Sequence, residues 1–437
     1  MWHSFLQYIR PLYHGALSHL GALWYRYPSK DMRVVGVTGT KGKSTVVQMI
    51  VAMARRNGWT VGFSSSISFS DGQTDEVNTI RNSMPGRFRL HRLMAEARAN
   101  GCELFVMEAT SEGLVQNRHR GVQIDGGVFT NLYPEHLEAH GSFEAYKAAK
   151  GRLFTAVAKD RSKQRDGFQQ TAFEVLNGDS EYASYYSGLT SVPATLTGLS
   201  ESAELDVRGE ILEEATHHTT MRIYRGHEPI TELRLPLAGE FNVQNALVAF
   251  GVGERLGLQT NVMQNALEGL AHIPGRMEQV HDNPRIIVDY AHIPDALEAV
   301  YSELQDRWQN EGERIIAVLG ACGGGRDRWK RRPMGNIAGK YADYVIITNE
   351  DPYDEDKQHI IDEVFAGVME TNHTEGETAF RVQDRRDAFR KALAVSDTND
   401  IIIITGKGSE ESIVENGEKH PFNDKREIQR LVTGDDR

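Results

Sequence analysis

An α/β protein is predicted from the sequence: a P-loop-type central domain on a parallel sheet with a small antiparallel insertion, then a Rossmann-like C-terminal α/β domain. Three observations carry that expectation. The apolar run Val34, Val35, Val37 breaks into glycines, ends in Gly42-Lys43-Ser44, and passes directly into the helix-forming stretch Thr45-Val-Val-Gln-Met-Ile-Val-Ala-Met-Ala. Downstream, short apolar runs alternate with segments of helical period. A fresh series of the same alternation begins at 286–289, beyond Ile273-Pro274-Gly275-Arg276. The 437 residues therefore divide into an aromatic N-terminal helix segment (1–30), a central nucleotide domain (31–273) and a C-terminal domain (274–437).

In the N-terminal segment Trp2, Phe5, Leu6, Ile9, Tyr13, Leu17, Leu20 and Trp24 recur at helical spacing, with Pro11 as an interruption. Arg10, His14 and His19 break the apolar content, so neither a signal peptide nor a membrane span fits. Two readings stay open: a helix packed on the body of the protein, or an interfacial helix against a membrane or partner, to which Trp and Tyr are suited.

The loop at 36–45 reads as a phosphate cradle. Backbone N–H groups and the helix dipole face an anion, Lys43 reaches terminal phosphates, and Ser44 can hold Mg²⁺. It departs from a strict Walker A, because Val37 stands where that pattern has its first glycine. Further strands are expected at 104–108, 127–130, 173–177, 315–319, 344–348 and 401–405, with helices such as 88–99 and 143–159 between them. Residues 194–237 alternate in short stretches and suggest the antiparallel insertion, while polar 158–170 reads as an exposed loop or linker.

Composition narrows the function classes. With 49 basic and 61 acidic residues the net charge is −12, which argues against a general nucleic-acid binder. Two cysteines, Cys102 and Cys322, support neither a disulfide framework nor a four-thiolate zinc site, and suit a reducing cytoplasm.

Ligands gather at the carboxyl ends of strands in open parallel sheets. Strand 104–108 ends in Glu108, followed by Ala-Thr110-Ser111; strand 127–130 ends in Asn131-Leu-Tyr-Pro-Glu-His136, with Glu138 and His140 behind it. Alone, Glu108 reads as a capping carboxylate and His136 as a hydrogen-bonded structural histidine. On successive strand ends beside a phosphate loop they point to a metal–phosphate site. In the C-terminal domain, Gly323-Gly-Gly325 would let backbone approach a ligand, and Arg326, Arg328, Lys330 and Arg331 would clamp an anion. Alone, that cationic run reads as a solvated patch. Mixed charges at Asn349-Glu350-Asp351-Pro352-Tyr353 and Gly406-Lys-Gly-Ser-Glu410 suit a zwitterion such as an amino acid.

The loop Thr38-Gly39-Thr40-Lys41-Gly42-Lys43-Ser44-Thr45 resembles the TGTNGKT(T/S) loop of the Mur ligases. The same order continues through Glu108-Ala-Thr-Ser, Phe129-Thr-Asn-Leu-Tyr-Pro-Glu-His136, Ala148-Ala-Lys150, Gly239-Glu-Phe-Asn-Val-Gln-Asn245, Pro274-Gly-Arg276-Met-Glu, Asp289-Tyr-Ala-His292, Cys322-Gly-Gly-Gly-Arg326-Asp-Arg and Thr405-Gly-Lys-Gly-Ser-Glu410. Within the family it looks most like MurE, which adds the third residue of the peptidoglycan stem peptide. The resemblance implies an ATP-dependent ligase that makes an acyl phosphate and lets an amine displace it. It implies that Ser44 and Glu108 hold one Mg²⁺ and His136 a second, with a carbamylated Lys150 in support. Asn245, Arg276 and Asp289, with loop residues 39–45, match nucleotide-binding positions. Thr110, Ser111, Arg326, Asp351, Tyr353, Gly406 and Glu410 match positions on the substrate side, where the partners would be a muramoyl-peptide acceptor and an amino acid.

Four departures bear on that expectation. About thirty residues precede the loop, where ordinary MurE enzymes carry roughly a hundred that recognise the UDP-linked acceptor. Lys41 replaces the usual Asn; Glu112 and Ser409 replace histidines; Glu350-Asp351-Pro352-Tyr353 replaces Asp-Asn-Pro-Arg. That arginine pairs with the distal carboxylate of meso-diaminopimelate, and a tyrosine lacks the bidentate guanidinium, so lysine or another diamine is expected instead. The rival readings are a folylpolyglutamate- or cyanophycin-type ligase and a non-catalytic ATP-binding scaffold.

Overall fold

The computed structural model describes residues 2–434 apart from 81, 87, 159–161, 166–167, 202–203, 216–217, 271, 310–311 and 326. The chain forms two compact units, Met1–Pro134 with Ser142–Ala271, and Glu135–Gly141 with His272–Arg437.

In the first unit, eleven described strands form one sheet. Its order is Glu228–Leu235, His218–Arg225, Val207–Ala215, Ala194–Gly198, Phe173–Asn177, Gly126–Phe129, β1 (Arg33–Thr38), Leu104–Glu108, Val61–Ser64, Ser68–Ser70, Asp75–Val77. Neighbours from Val207–Ala215 through β1 to Val61–Ser64 run parallel. Helices cover both faces of such a sheet, which is why β1 is continuously apolar rather than alternating: Val34, Val35 and Val37 are all fully buried. After it, α2 (Lys43–Arg56) buries Val46, Val47, Met49, Ile50 and Met53, and ends with Arg55 and Arg56 at the negative pole of its dipole.

Three expectations change here. Strand Ala194–Gly198 pairs in parallel with Phe173–Asn177, and within 194–237 the antiparallel pairs are confined to the strands from 207 to 235. The expected insertion is therefore an edge of the main sheet, because ladder pairing there satisfies backbone groups that a separate small sheet would leave at an edge. The expected exposed loop at 158–170 contains a hairpin, Ser162–Arg165 with Phe168–Thr171. In it Lys163 is buried, donating to Asp125 Oδ2 at 2.7 Å and to the carbonyls of Ser29 and Gln123. Polarity misled because a lysine with that many acceptors can be buried.

The third change concerns α1 (Trp2–Trp24), which runs through Pro11 without ending, since one lost N–H costs less than a broken helix. It packs on α3 (Phe88–Ala99), but through small residues. Gly15, Ser18, Gly21 and Ala22 are buried, with Phe88 and His91 close against Gly21. Ser18 Oγ lies 2.7 Å from the Arg118 carbonyl and 3.1 Å from His91 Nε2. The large side chains Tyr13, Leu20 and Trp24, which would face inward if the apolar stripe were the packed face, are exposed. Close helix approach favours small residues, so the stripe of large ones is turned away.

The second unit has a six-stranded sheet ordered Glu278–Asp282, Arg285–Val288, Ile401–Ile404, Ile315–Leu319, Tyr344–Thr348, Ala379–Val382. Only the first pair is antiparallel. All four isoleucines of 401–404 are fully buried, placing this strand at the centre with a core on each face.

Candidate active site

The parallel order of the first sheet brings the carboxyl ends of β1, Leu104–Glu108 and Val61–Ser64 side by side. Three side chains converge there. Glu108 Oε1 accepts from Ser44 Oγ at 2.6 Å and from the Ser66 N–H at 2.7 Å, and the Ser44 and Ser66 hydroxyls are 2.7 Å apart. Lys43 Nζ donates to the carbonyls of Gly39 (3.0 Å) and Thr40 (2.9 Å), so its ammonium lies along the loop. Gly42 holds φ +78° at the start of α2, and a Cβ there would run into Asn245 Oδ1, which places Asn245 against the loop. Thr45 and Asn245 are buried.

Lys150 is 2% exposed and donates to the Gly39 carbonyl at 2.6 Å, with its ammonium 4.4 Å from the centre of the Tyr146 ring. The Tyr146 hydroxyl meets Thr40 Oγ1 at 3.1 Å, and Thr40 Oγ1 also accepts from the Tyr133 N–H. The Lys41 N–H donates to Asn131 Oδ1, and its ammonium lies over the Tyr133 ring. Thr110 caps the short helix Ser111–Val115 by accepting from the Gly113 N–H, and Ser111 is buried.

In the second unit the loops at 349–353 and 405–410 are framed by buried ion pairs. Arg385 and Asp424 are fully buried partners, and Arg385 also donates to the carbonyls of Asn349 and Thr405. Lys407 bridges Asp351 (3.2 Å) and Glu410 (3.0 Å), while Asp351 Oδ1 also accepts from the Val414 N–H. Glu350 accepts from Cys322 Sγ at 2.9 Å; burial opposes its charge, yet Lys407, the Cys322 thiol and Arg385 together hold its carboxyl below the usual range. Arg276 stacks over the Tyr290 ring and donates to the Gly275 carbonyl. Asp289 accepts from the Met277 and Ala291 N–H groups, and burial raises its pKa against the pull of Arg276. His136, at φ +55°, approaches Glu135 Oε1 at 3.6 Å; the same oxygen lies 3.2 Å from His292 Nε2.

Comparison with known proteins adds identity to this geometry. Residues 37–253 match the Mur ligase middle domain, and residues 275–408 match the domain described as Mur ligase, glutamate ligase domain. The chain belongs to the Mur ligase family. It is 36% identical to the UDP-N-acetylmuramoyl-L-alanyl-D-glutamate--2,6-diaminopimelate ligase of Thermosynechococcus vestitus, over 95% of this chain and 80% of that one. It is 35% identical to the UDP-N-acetylmuramyl-tripeptide synthetase of Roseiflexus sp. (strain RS-1), over 95% and 82%. Its fold is also that of the Mycobacterium tuberculosis folylpolyglutamate synthase solved with ADP and AMPPCP, at TM-score 0.71 and 16% identity over 99% and 98% of the two chains. This Mur ligase is an ATP-using enzyme.

Against the sequence expectations, Lys43, Ser44, Glu108, Lys150 and Asn245 meet at one loop of the first unit. Arg276, Asp289, Asp351, Tyr353, Gly406, Glu410 and His136 lie in the second, and Arg326 lies outside the described residues. The glycine run does not act as expected. A Cβ on Gly323 would strike the Pro352 carbonyl, and one on Gly324 would sit 2.8 Å from the Tyr353 ring. The space belongs to the ligase's own 351–353 loop, to which Gly323 also donates a hydrogen bond. Nor are the described cations of that run a clamp. Arg331 is buried between Glu355 and Glu363, Arg328 pairs with Glu363, and Lys330 donates to the His292 carbonyl. Carboxylates arriving from a later helix satisfy them, which no local reading of 326–331 reveals. Sequence reasoning missed Ser66 and Tyr146. A signal for the first existed: Ser64-Ser65-Ser66 closes a strand next to the one ending in Glu108.

Proposed function

We propose that this Mur ligase joins an amino acid to the carboxylate of a muramoyl-peptide acceptor through an acyl phosphate, in peptidoglycan precursor synthesis. The observation that carries the reading is the convergence of Ser44, Glu108 and Ser66 beside Lys43 at the carboxyl end of a buried parallel strand. A carboxylate has too poor a leaving group to acylate an amine near neutral pH. Transfer of the γ-phosphoryl group makes a bond from phosphorus to the acceptor carboxylate oxygen and breaks the one to ADP. The amine nitrogen then attacks the acyl carbon, loses a proton, and expels phosphate with the C–O electron pair. Lys43 supplies positive charge where these anions meet. A hydroxyl and a carboxylate oxygen 2.6 Å apart fit Mg²⁺, a hard cation; Ser44 and Glu108 would hold it, and it would neutralise charge on the transferred group. Thr110 and Ser111, on the strand end after Glu108, are assigned to the acceptor side.

Lys150 supports a second cation in this reading once CO₂ has added to its uncharged amine, with loss of a proton, to give a carbamate. Its burial beside Gly39 favours that role over a solvated helix lysine. His136 is assigned to the same cation by its motif alone. Arg276, Asp289 and Asn245 are assigned to the nucleotide, and Tyr353, Gly406 and Glu410 to the incoming amino acid. Tyr353 sits where a guanidinium would grip a distal carboxylate, so lysine or another diamine is favoured over meso-diaminopimelate. Buried Cys102 and Cys322, not joined in a disulfide, suit a reducing cytoplasm.

ADP release, measured with UDP-MurNAc-dipeptide and a panel of amino acids, tests the reading. Release that requires both substrates and is abolished by EDTA is expected. Release with a folyl-glutamate acceptor instead would move the enzyme to that branch, and ATP binding without release would make it a scaffold.

A further inference from the structure

We infer that α1 docks this enzyme onto an anionic lipid bilayer surface. On the described part of the helix, Tyr13, Leu20, Leu23 and Trp24 are 50%, 52%, 58% and 76% exposed. At about 100° per residue these four lie within one arc of roughly 100°, opposite the buried Gly15, Ser18 and Ala22. Phe88, packed on Gly21 at the start of α3, is exposed too and adds to the apolar surface. A surface helix of a soluble body turns its large apolar side chains inward; this one docks through its small side and leaves the large ones out.

Charge selects the occupant. The chain carries a net −12, yet no Asp or Glu occurs in residues 1–30. Arg26 and Lys30 are exposed just beyond the end of α1, and Arg89 is exposed on α3 beside it. The nearest carboxylates in sequence are occupied: Asp31 by Arg98 at 3.4 Å, and Glu96 by Arg92 at 2.8 Å. Large apolar and aromatic side chains flanked by cations match the headgroup–acyl boundary of an anionic bilayer. A second copy would bring the same cations face to face in a two-fold contact, which like-charge repulsion disfavours. No described helix is long and apolar enough to cross a membrane, so α1 lies along the surface, anchored on its other side by Ser18 and His91. The inference stands apart from the ligase chemistry and does not depend on which acceptor is used.

Flotation of the full chain with phosphatidylcholine vesicles, with and without phosphatidylglycerol, tests it. Binding to the anionic vesicles alone, weakening as salt rises, is expected. The double variant L20E/W24E should lose about tenfold or more in partitioning, and R26E/K30E about fivefold per cation removed. Neither should change ADP release in solution or the circular dichroism spectrum, because these side chains make no core contact. As a second readout, fluorescence quenching by brominated lipid should be reduced in W24F. Failure to float with either vesicle, or equal and salt-independent flotation with both, would overturn the inference. So would a concentration-dependent dimer that L20E/W24E abolishes, since that would give the face to a second copy.

Discussion

The loops after Arg33–Thr38 and after Ile315–Leu319 are alike in composition: each leaves a strand whose last five residues are buried, passes through glycines and ends in cations. They differ in what fills the space beside the glycines. At the first, Gly39 and Gly42 leave backbone and the side chains of Lys43, Ser44 and Asn245 around one point, with Glu108 and Ser66 from neighbouring strands. At the second, Pro352 and Tyr353 occupy the room over Gly323 and Gly324, and Arg331 is locked to Glu355 and Glu363. Glycine and positive charge are therefore compatible with two roles, a cradle for phosphate and a seam inside the protein. The supporting interactions differ in kind as well: hydroxyls and carbonyls at the first loop, buried ion pairs at the second.

The largest effect is expected where the second frame is held. Asp424→Asn leaves the fully buried Arg385 guanidinium without its carboxylate and should cost about 3–5 kcal/mol, read as a lowered urea midpoint. A loss under 1 kcal/mol would mean that the ion pair does not hold those loops. Lys43→Ala should do the converse, reducing turnover by about a hundredfold or more while leaving thermal stability nearly unchanged. Wild-type turnover in that variant would remove the phosphate role from the first loop.

Gly324→Ala sharpens the contrast at smaller cost. At φ +71°, with the Tyr353 ring where its Cβ would go, it should lose about 1–3 kcal/mol of stability. Gly42→Ala, at φ +78° and against Asn245, carries the same kind of backbone strain and should in addition lower ATP use, which Gly324→Ala should leave intact in the protein that stays folded. Equal losses of ATP use per folded molecule in the two would erase the distinction.

The smallest expected difference is in pH dependence. In the first unit Glu174 is buried, accepts one hydrogen bond from Thr190, and has its carboxyl pushed up to about 7 by burial. The folded state holds that proton more tightly than the unfolded one. Its contribution is therefore full below about pH 4.5 and is lost as pH rises toward 7. Glu174→Gln should flatten that decline and be the more stable protein at pH 8, by about 1–2 kcal/mol in thermal melts. In the second unit the ordering is reversed. Glu355 and Glu363 are partly buried, which opposes their charge, but Gly325 and Arg331 at the first, and Arg328 and Arg331 at the second, more than offset this and lower both. Their contribution is present above pH 4.5 and disappears as pH falls below it. Acid unfolding that spares the second unit would contradict this.

Much of the catalytic half was legible in the chain. Local pattern suffices for Lys43, Ser44 and Glu108, because a buried parallel strand puts its next residues at the ligand-bearing edge whatever surrounds it. The buried strands and most helices follow for the same reason, since hydrophobic period is a local property. What depended on distant partners was not legible. Ser66 joins the site only because its strand lies next to the one ending in Glu108, and sheet order is not a local property. Lys163 is buried only because four acceptors from two other segments, 29–32 and 123–125, meet it. Arg331, Gly323 and Gly324 acquire a packing role only through a loop and a helix that arrive later in the chain. In α1, likewise, the sequence determined an apolar stripe of helical period, while tertiary packing decided its direction. Gly15, Ser18 and Ala22 allow the closer approach, so the body takes the small face and leaves Leu20 and Trp24 to whatever the helix meets.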